Sequence, residues 1–379
     1  MPPLTLCHSQ LSAAADYRSR RRARRVGCSQ RSGPSQPSIY FSISARCSSL
    51  WIFTVIYRVS GMEEFAYIRI TTPHNEVINK LNKKRAVLPP PMASNFRVLC
   101  LMLLTTKDDE PACVFGMNFE PANIGGSICA ERSAIGQLHL YNDPIIVKIF
   151  IVTDAEQPIS PGTLCREFLT SRCSEDTPLV LADCTGRLLT ECTVGYLFPH
   201  PFLYRKIGRN DIEACARQHL QDRECKDIQA LIQGSYGINA SKLYEQALNA
   251  TKKDVLINLH PLRLGAGVLY ADGSIEVAWQ MKALEYGSTL DPVCQLITHL
   301  ERNKDEGSKK SDPDVLIMVD QFGIIHAPFG QARAILSEHG YGHIKVIVMQ
   351  SDGVPQTTTC SALIPNLDGY SGSMKDTVF

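Results

Sequence analysis

The stretch SICAERSAI, Ser127–Ile135, decides how the rest of the chain is read. A serine suited to capping a helix precedes apolar residues at helical spacing, with an acid, Glu131, in the early turns. Cys129 stands two residues before Glu131, so both side chains project from one helix start. A thiolate beside a carboxylate at that spacing suits a metal ligand next to a proton carrier. Catalytic zinc typically takes three protein ligands and keeps a fourth position for water, and a non-ligand acid then moves protons. Taken alone, Cys129 reads equally as a buried thiol, and Glu131 as an acid favoured in a first helical turn. The choice turns on whether other segments supply more ligands.

One does. In Pro161-Gly162-Thr163-Leu164-Cys165-Arg166, Cys165 would sit on a second helix start, where the positive end of the dipole favours a thiolate. A cysteine before a helix, a glutamate two residues on and a later Pro-Cys-x-x-Cys are the parts of a zinc deaminase. Here Gly162 stands where the first cysteine of that pair belongs, so two of three ligands, Cys129 and Cys165, are visible. No neighbour is an obvious substitute. Cys173 lies about 12 Å along a helix from Cys165 at 1.5 Å per residue. Cys100 and Cys113 belong to strand-like segments elsewhere, His139 reads as a packed or surface residue, and Cys184 and Cys192 read as structural.

Outside these motifs the chain alternates short runs rich in Val and Ile (Val147–Asp154, PLVLAD, DVLIMVD) with helical patterns, which suits buried strands in an α/β fold. NDIEACARQHLQDRECKDIQALIQ reads as helical and leads into a second module. That module repeats the first. SPGTLCREFL matches APFGQARAIL at an offset of 167 residues, each with a proline and then an arginine five residues on: Pro161 with Arg166, Pro328 with Arg333. GMNFEPANIGGSICAERSAI matches AWQMKALEYGSTLDPVCQLI without gaps at an offset of 162, and the difference fits an insertion near the polar ERNKDEGSKKSDPD. One repeat is too few for a solenoid, so this is an internal duplication.

At these residues the chain resembles the cytidine deaminases of nucleoside salvage. CAERSAI resembles their Cys-Ala-Glu-Arg signature, and GMNFEPAN their ribose-gripping loop. SNFRV resembles their entrance strand, and FPHPF their Leu-Pro-x-x-Phe element. The resemblance is good over about residues 76–205 and survives as a decayed copy over about 240–365. It implies a duplicated three-layer α/β/α module with a mixed sheet, in which an active module precedes an inactive one and the chain dimerises. It implies zinc as cofactor, Glu131 as the catalytic acid/base, Asn118 and Glu120 on the ribose hydroxyls, and Phe96 stacked on the base. In the second copy Asp291, Val293, Phe329 and Ala332 stand where Cys129, Glu131, Gly162 and Cys165 stand, and Lys282 replaces Glu120. No zinc chemistry is expected there. The competing reading is a pseudoenzyme, a dimerising scaffold or nucleoside binder without turnover.

Charge excludes other classes. The chain's net charge of +1 is uneven: residues 1–61 hold nine arginines, no lysine and one acid, which leaves the remainder at −7. An acidic body argues against a nucleic-acid surface. The apolar run Leu50–Tyr57 is too short to span a bilayer. Fourteen scattered cysteines in a long chain without a secretory signal read as thiols in a reducing compartment. Residues 1–61 are an Arg/Ser-rich disordered leader: a transit peptide, a basic tail, or a segment upstream of a true start at Met62. Residues 62–210 form the first deaminase-like domain with a partial zinc site. Residues 211–239 are a helical linker and 240–379 the degenerate second domain. The expected partners are a cytidine-type nucleoside and a second copy of the chain, with no nucleic acid or membrane. The compartment is cytoplasmic, or mitochondrial if the leader is a presequence.

Overall fold

The computed structural model describes residues 65–365, apart from 66, 123–125, 223–226, 285, 306–310 and 350–352. The expected leader lies outside the described residues. The chain order is α1 (His74–Val87), β1 (Val98–Thr105), β2 (Pro111–Met117), α2 (Ala130–Ile135), β3 (Ile145–Thr153), α3 (Thr163–Thr170), β4 (Pro178–Ala182), β5 (Leu189–Thr193) and α4 (Val194–Leu197). Helices α5 (Ile212–Asp222), α6 (Ile228–Tyr236) and α7 (Ile238–Ala250) follow. The second set is β6 (Leu264–Tyr270), β7 (Ile275–Trp279), α8 (Pro292–Asp305), β8 (Pro313–Asp320), β9 (Ile325–His326), α9 (Gly330–Glu338), β10 (Lys345–Met349) and β11 (Pro355–Thr359).

Strand β1, VLCLMLLT, is apolar throughout because it is covered on both faces. Successive side chains alternate. Leu99, Leu101 and Leu103 pack with Val77, Ile78 and Leu81 of α1, whereas Cys100, Met102 and Leu104 pack with Ala130, Ala134 and Leu169 of α2 and α3. The result is a three-layer sandwich. In β6 the face toward α8 and α9 carries Ala266, Val268 and Tyr270. The opposite face carries Gly265 and Gly267. A Cβ on Gly265 would stand 2.2 Å from Ala247 O, so the missing side chain is what lets α7 approach.

The two sheets are built alike. The first has the order β2-β1-β3-β4-β5, the second β7-β6-β8-β10-β11 with β9 added beside β8. In both, only the pair β3–β4 or β8–β10 is parallel and the other pairs along that order are antiparallel. The registers fix equivalent residues: Leu99 pairs with Met117 and Val152 as Gly265 pairs with Trp279 and Val319. The bridge Phe119–Ile128 likewise has its counterpart in Met281–Leu290.

The repeated arginines explain their own spacing. Arg166 and Arg333 each donate from Nε to the carbonyl of the proline five residues back, Pro161 or Pro328, at 2.7 Å. Each then reaches across to the other half. Arg166 Nη1 donates to Leu197 O and to Pro365 O, both at 3.1 Å. Arg333 donates to Pro199 O at 2.8 Å, His200 O at 3.0 Å and Leu363 O at 3.1 Å. Helices α3 and α9 are therefore clamped reciprocally.

Local expectations need two corrections. Ser127 does not cap α2; Cys129 is the N-cap, in extended conformation, with no side-chain cap bond. The helix from SICAERSAI ends at Ile135 and gives way to a 3-10 turn, Leu138–Leu140, so His139 sits exposed on that turn rather than on the helix. The long helical pattern after Asn210 corresponds to α5 and α6, and residues 223–226 between them lie outside the described residues.

Candidate metal and nucleoside site

The two helix starts bring Cys129, Glu131 and Cys165 together. Their Sγ and carboxylate oxygen atoms all lie within 4.8 Å of one another. Cys129 caps α2, Glu131 sits in its first turn, and Cys165 sits in the first turn of α3. Strand β2 holds α2 in place through Gly116. A Cβ there would lie 2.1 Å from Ala130 O and 2.4 Å from Ala134 N, so only glycine lets the helix lie this close.

The electrostatics suit a thiolate. Cys129 is pulled down to about 6, first by a hydrogen bond from the Cys165 thiol, against burial, and further by Arg132. Arg132 Nη2 lies 3.7 Å from Cys129 Sγ and donates to Ser127 O at 3.0 Å, while its Nε is buried without a partner. Cys165 keeps its proton, because it donates to Cys129 and is buried. Glu131 is 4% exposed, and burial pushes its carboxyl up to about 7.

Gly162 is the N-cap of α3, with φ −62° and ψ 158°. That is ordinary backbone for any residue, and a Cβ built there meets nothing within 4 Å. The position has room for a further side chain. As a donor set, two thiols and one carboxylate on two helix starts suit zinc, with the third customary ligand place open at Gly162.

The residues expected to meet the nucleoside lie on the segments that enter β1 and follow β2. Asn118 is used by the backbone: its Oδ1 accepts from Val98 N–H at 2.8 Å and its Nδ2 donates to Phe96 O at 2.8 Å and to Glu120 Oε1 at 3.3 Å. Glu120 accepts from Ser94 N–H at 2.7 Å and Ser94 Oγ at 2.8 Å. Phe96 is half-buried on the segment entering β1. Arg97 anchors that segment, donating from N–H and Nε to Asp154 Oδ2 at 2.7 and 3.0 Å, with Arg85 on the other oxygen.

Comparison with known proteins decides the family. No family model matches the chain. The cytidine deaminase of Halalkalibacterium halodurans is 32% identical over 109 residues, covering 29% of this chain and 79% of that protein. The chain belongs to the cytidine deaminase family. This family member is also 28% identical over 103 residues to the cytidine deaminase of Sporosarcina psychrophila, covering 27% of the chain and 71% of that protein. A crystal structure of cytidine deaminase from Burkholderia pseudomallei is 24% identical, with a TM-score of 0.29, covering 35% of this chain and all of that one. No helix among the described residues of this cytidine deaminase relative is long and apolar enough to cross a membrane.

Three contributors escaped the sequence reading. Arg132 follows Cys129 by three residues on one helix, a spacing that places the two side chains together and could have been used. Gly116 had no signal beyond being glycine in a strand. Cys100 was placed away from the site, yet it is fully enclosed on β1 near enough to Glu131 and Cys173 for their charges to add to the effect of burial, which keeps its thiol protonated.

Proposed function

We propose that the chain hydrolyses cytidine or deoxycytidine to the corresponding uridine and ammonia, using Cys129 and Cys165 to hold zinc. The single observation that carries this reading is the convergence of Cys129, Glu131 and Cys165 within 4.8 Å. Zinc in such a site supplies the Lewis acidity that makes water nucleophilic at neutral pH. The chain's own residues do the rest. Glu131, buried beside the thiols, carries one proton of the water to the ring nitrogen of the base and the other to the departing amine. Glu120 and Asn118 take the ribose hydroxyls, which replace the two Ser94 donors on Glu120, and Phe96 stacks on the base. Arg132 offsets the charge of the thiolates.

In this reading residues 62–210 are the working domain, 211–239 a helical linker, and 240–379 a copy without ligands. Two such chains form a dimer in the cytoplasm. Gly162 favours a second reading, a nucleoside-binding pseudoenzyme, since a lost ligand costs more than the roughly 10–100-fold of a lost supporting contact. Metal analysis of the purified full chain beside a cytidine assay separates the two. One zinc per chain with turnover that Glu131→Gln abolishes supports the deaminase. Nucleoside binding without zinc or turnover selects the pseudoenzyme, and loss of neither activity nor zinc in Cys129→Ser refutes the metal assignment.

A further inference from the structure

The registers make Arg263 the counterpart of Arg97 and Gln321 that of Asp154. The backbone arrangement is copied closely. Asp154 N–H donates to Arg97 O at 3.1 Å and Gln321 N–H to Arg263 O at 3.2 Å. Arg97 N–H donates to the Asp154 carboxylate at 2.7 Å and Arg263 N–H to Gln321 Oε1 at 2.9 Å. The charge is not copied. Arg97 has a carboxylate for its guanidinium, whereas Gln321 offers an amide whose Nε2 donates to Pro261 O at 3.2 Å. Among the described residues the Arg263 guanidinium has no hydrogen bond or ion pair.

Arg263 is among the residues that line a half-open depression of about 620 Å³. The size is in the range of small-molecule sites, roughly 300–1,000 Å³. Arg209 lines it too and spends one donor, on Asn258 O at 2.8 Å. The one acid on the wall, Glu213, is engaged by Arg217. His260 nearby is held below its ordinary value by burial, with the charges of Lys282 and Arg209 adding to that and Asp254 opposing it. Ile257 and Phe322 supply an apolar wall.

Two guanidinium groups without a counter-charge suit a dianion, and their planar forks match phosphate oxygens. The apolar wall asks for an organic body attached to it. We propose that this cavity binds a phosphate-bearing small molecule of the nucleoside monophosphate class, its phosphate on Arg209 and Arg263 and its ring against Ile257 and Phe322. The site is separate from the zinc cluster and does not depend on turnover there.

Calorimetry on the full chain at fixed ionic strength tests it, with adenosine 5′-monophosphate and inorganic phosphate as probes. A purine avoids confusion with a pyrimidine site. The nucleotide should bind at least tenfold more tightly than phosphate, and Arg263→Gln should weaken it at least tenfold. Gln321→Asp, which gives Arg263 the carboxylate that Arg97 has, should weaken it similarly while leaving the thermal midpoint unchanged or raised. No nucleotide binding at millimolar concentration, equal affinity for the two probes, or unchanged binding in either variant overturns the proposal.

Discussion

Where the first module encloses Glu131, the second encloses Val293, and the same substitution of chemistry by packing runs through the whole site. Cys165 corresponds to Ala332, which is fully buried, and Gly162 to Phe329, whose ring packs 4.9 Å from that of Phe202. Cys129 corresponds to Asp291, which has become a helix cap, accepting from Cys294 N–H at 2.8 Å. Glu120 corresponds to Lys282, which lies 2.7 Å from Asp254 Oδ2 and donates to His260 O at 2.6 Å. Gly116 corresponds to Ala278. Apart from β9, strand order and pairing are the same in both. The fold therefore requires none of the site's chemistry, and the site is an added demand on a scaffold that folds without it.

Substitutions can break that contrast. The largest effect should come from Lys282→Ala. The pair with Asp254 is 3% and 1% exposed, so the variant strands a buried carboxylate. Removing one partner of such a pair costs about 3–5 kcal/mol. Glu120→Ala, at the corresponding first-module position, should cost well under that, and urea midpoints compare the two. A Lys282 variant as stable as the Glu120 variant would show that the second module's replacement is not structural.

Gly116→Ala comes next. Its Cβ meets backbone, which cannot rotate away, so an overpacking cost of about 1–3 kcal/mol is expected. The displaced α2 should also lose metal affinity. A variant of normal stability with intact zinc binding would remove Gly116 from the account.

Gly162→Cys should raise zinc affinity at least tenfold, about 1.4 kcal/mol, by completing three thiolates. Competition with a chromophoric chelator measures it. Gly162→Cys combined with Glu131→Gln should keep the zinc and lose turnover. If the wild type already holds a full equivalent and the variant adds nothing, another group completes the site.

The smallest effect separates Asp154 from Gln321. Burial alone would raise Asp154, but the hydrogen bonds and charges of Arg97 and Arg85 outweigh it and hold the carboxyl below its ordinary value. A depressed folded value means that these contacts stabilise the fold above the ordinary carboxylate range. The contribution is lost as pH falls through the lower folded value. Asp154→Asn should flatten the acid limb of the stability curve, and Gln321→Asn should leave it unchanged. Identical acid limbs for wild type and Asp154→Asn would contradict the assignment.

Much of this was legible in the sequence because it is written in short-range patterns. β3, β4 and β8 read as buried strands because they are short runs rich in Val and Ile. Cys129, Glu131 and Cys165 were readable because each sits at a helix start with its neighbours in fixed spacing, and the repeat was readable because Pro161 and Arg166 recur as Pro328 and Arg333. What escaped depends on contacts distant in the chain. Ser94 meets Glu120 across 26 residues, Cys100 on β1 is near enough to Glu131 to feel its charge, and Gly116 matters only through what presses on it. The cap at Cys129 rather than Ser127 was missed because propensity favours serine, while tertiary packing on Gly116 sets where the helix begins.

The reciprocal arginines bear on whether either half of the chain could stand alone. Arg166 is 5% exposed and Arg333 is 1% exposed, and each depends on carbonyls contributed by the opposite copy. A deletion that discarded the ligand-free copy would leave Arg166 short of the Pro365 carbonyl and open α3 to water beside Cys165. Removal of either half would strand a buried arginine of the other, so each half holds the other's helix start in place through a carbonyl it contributes.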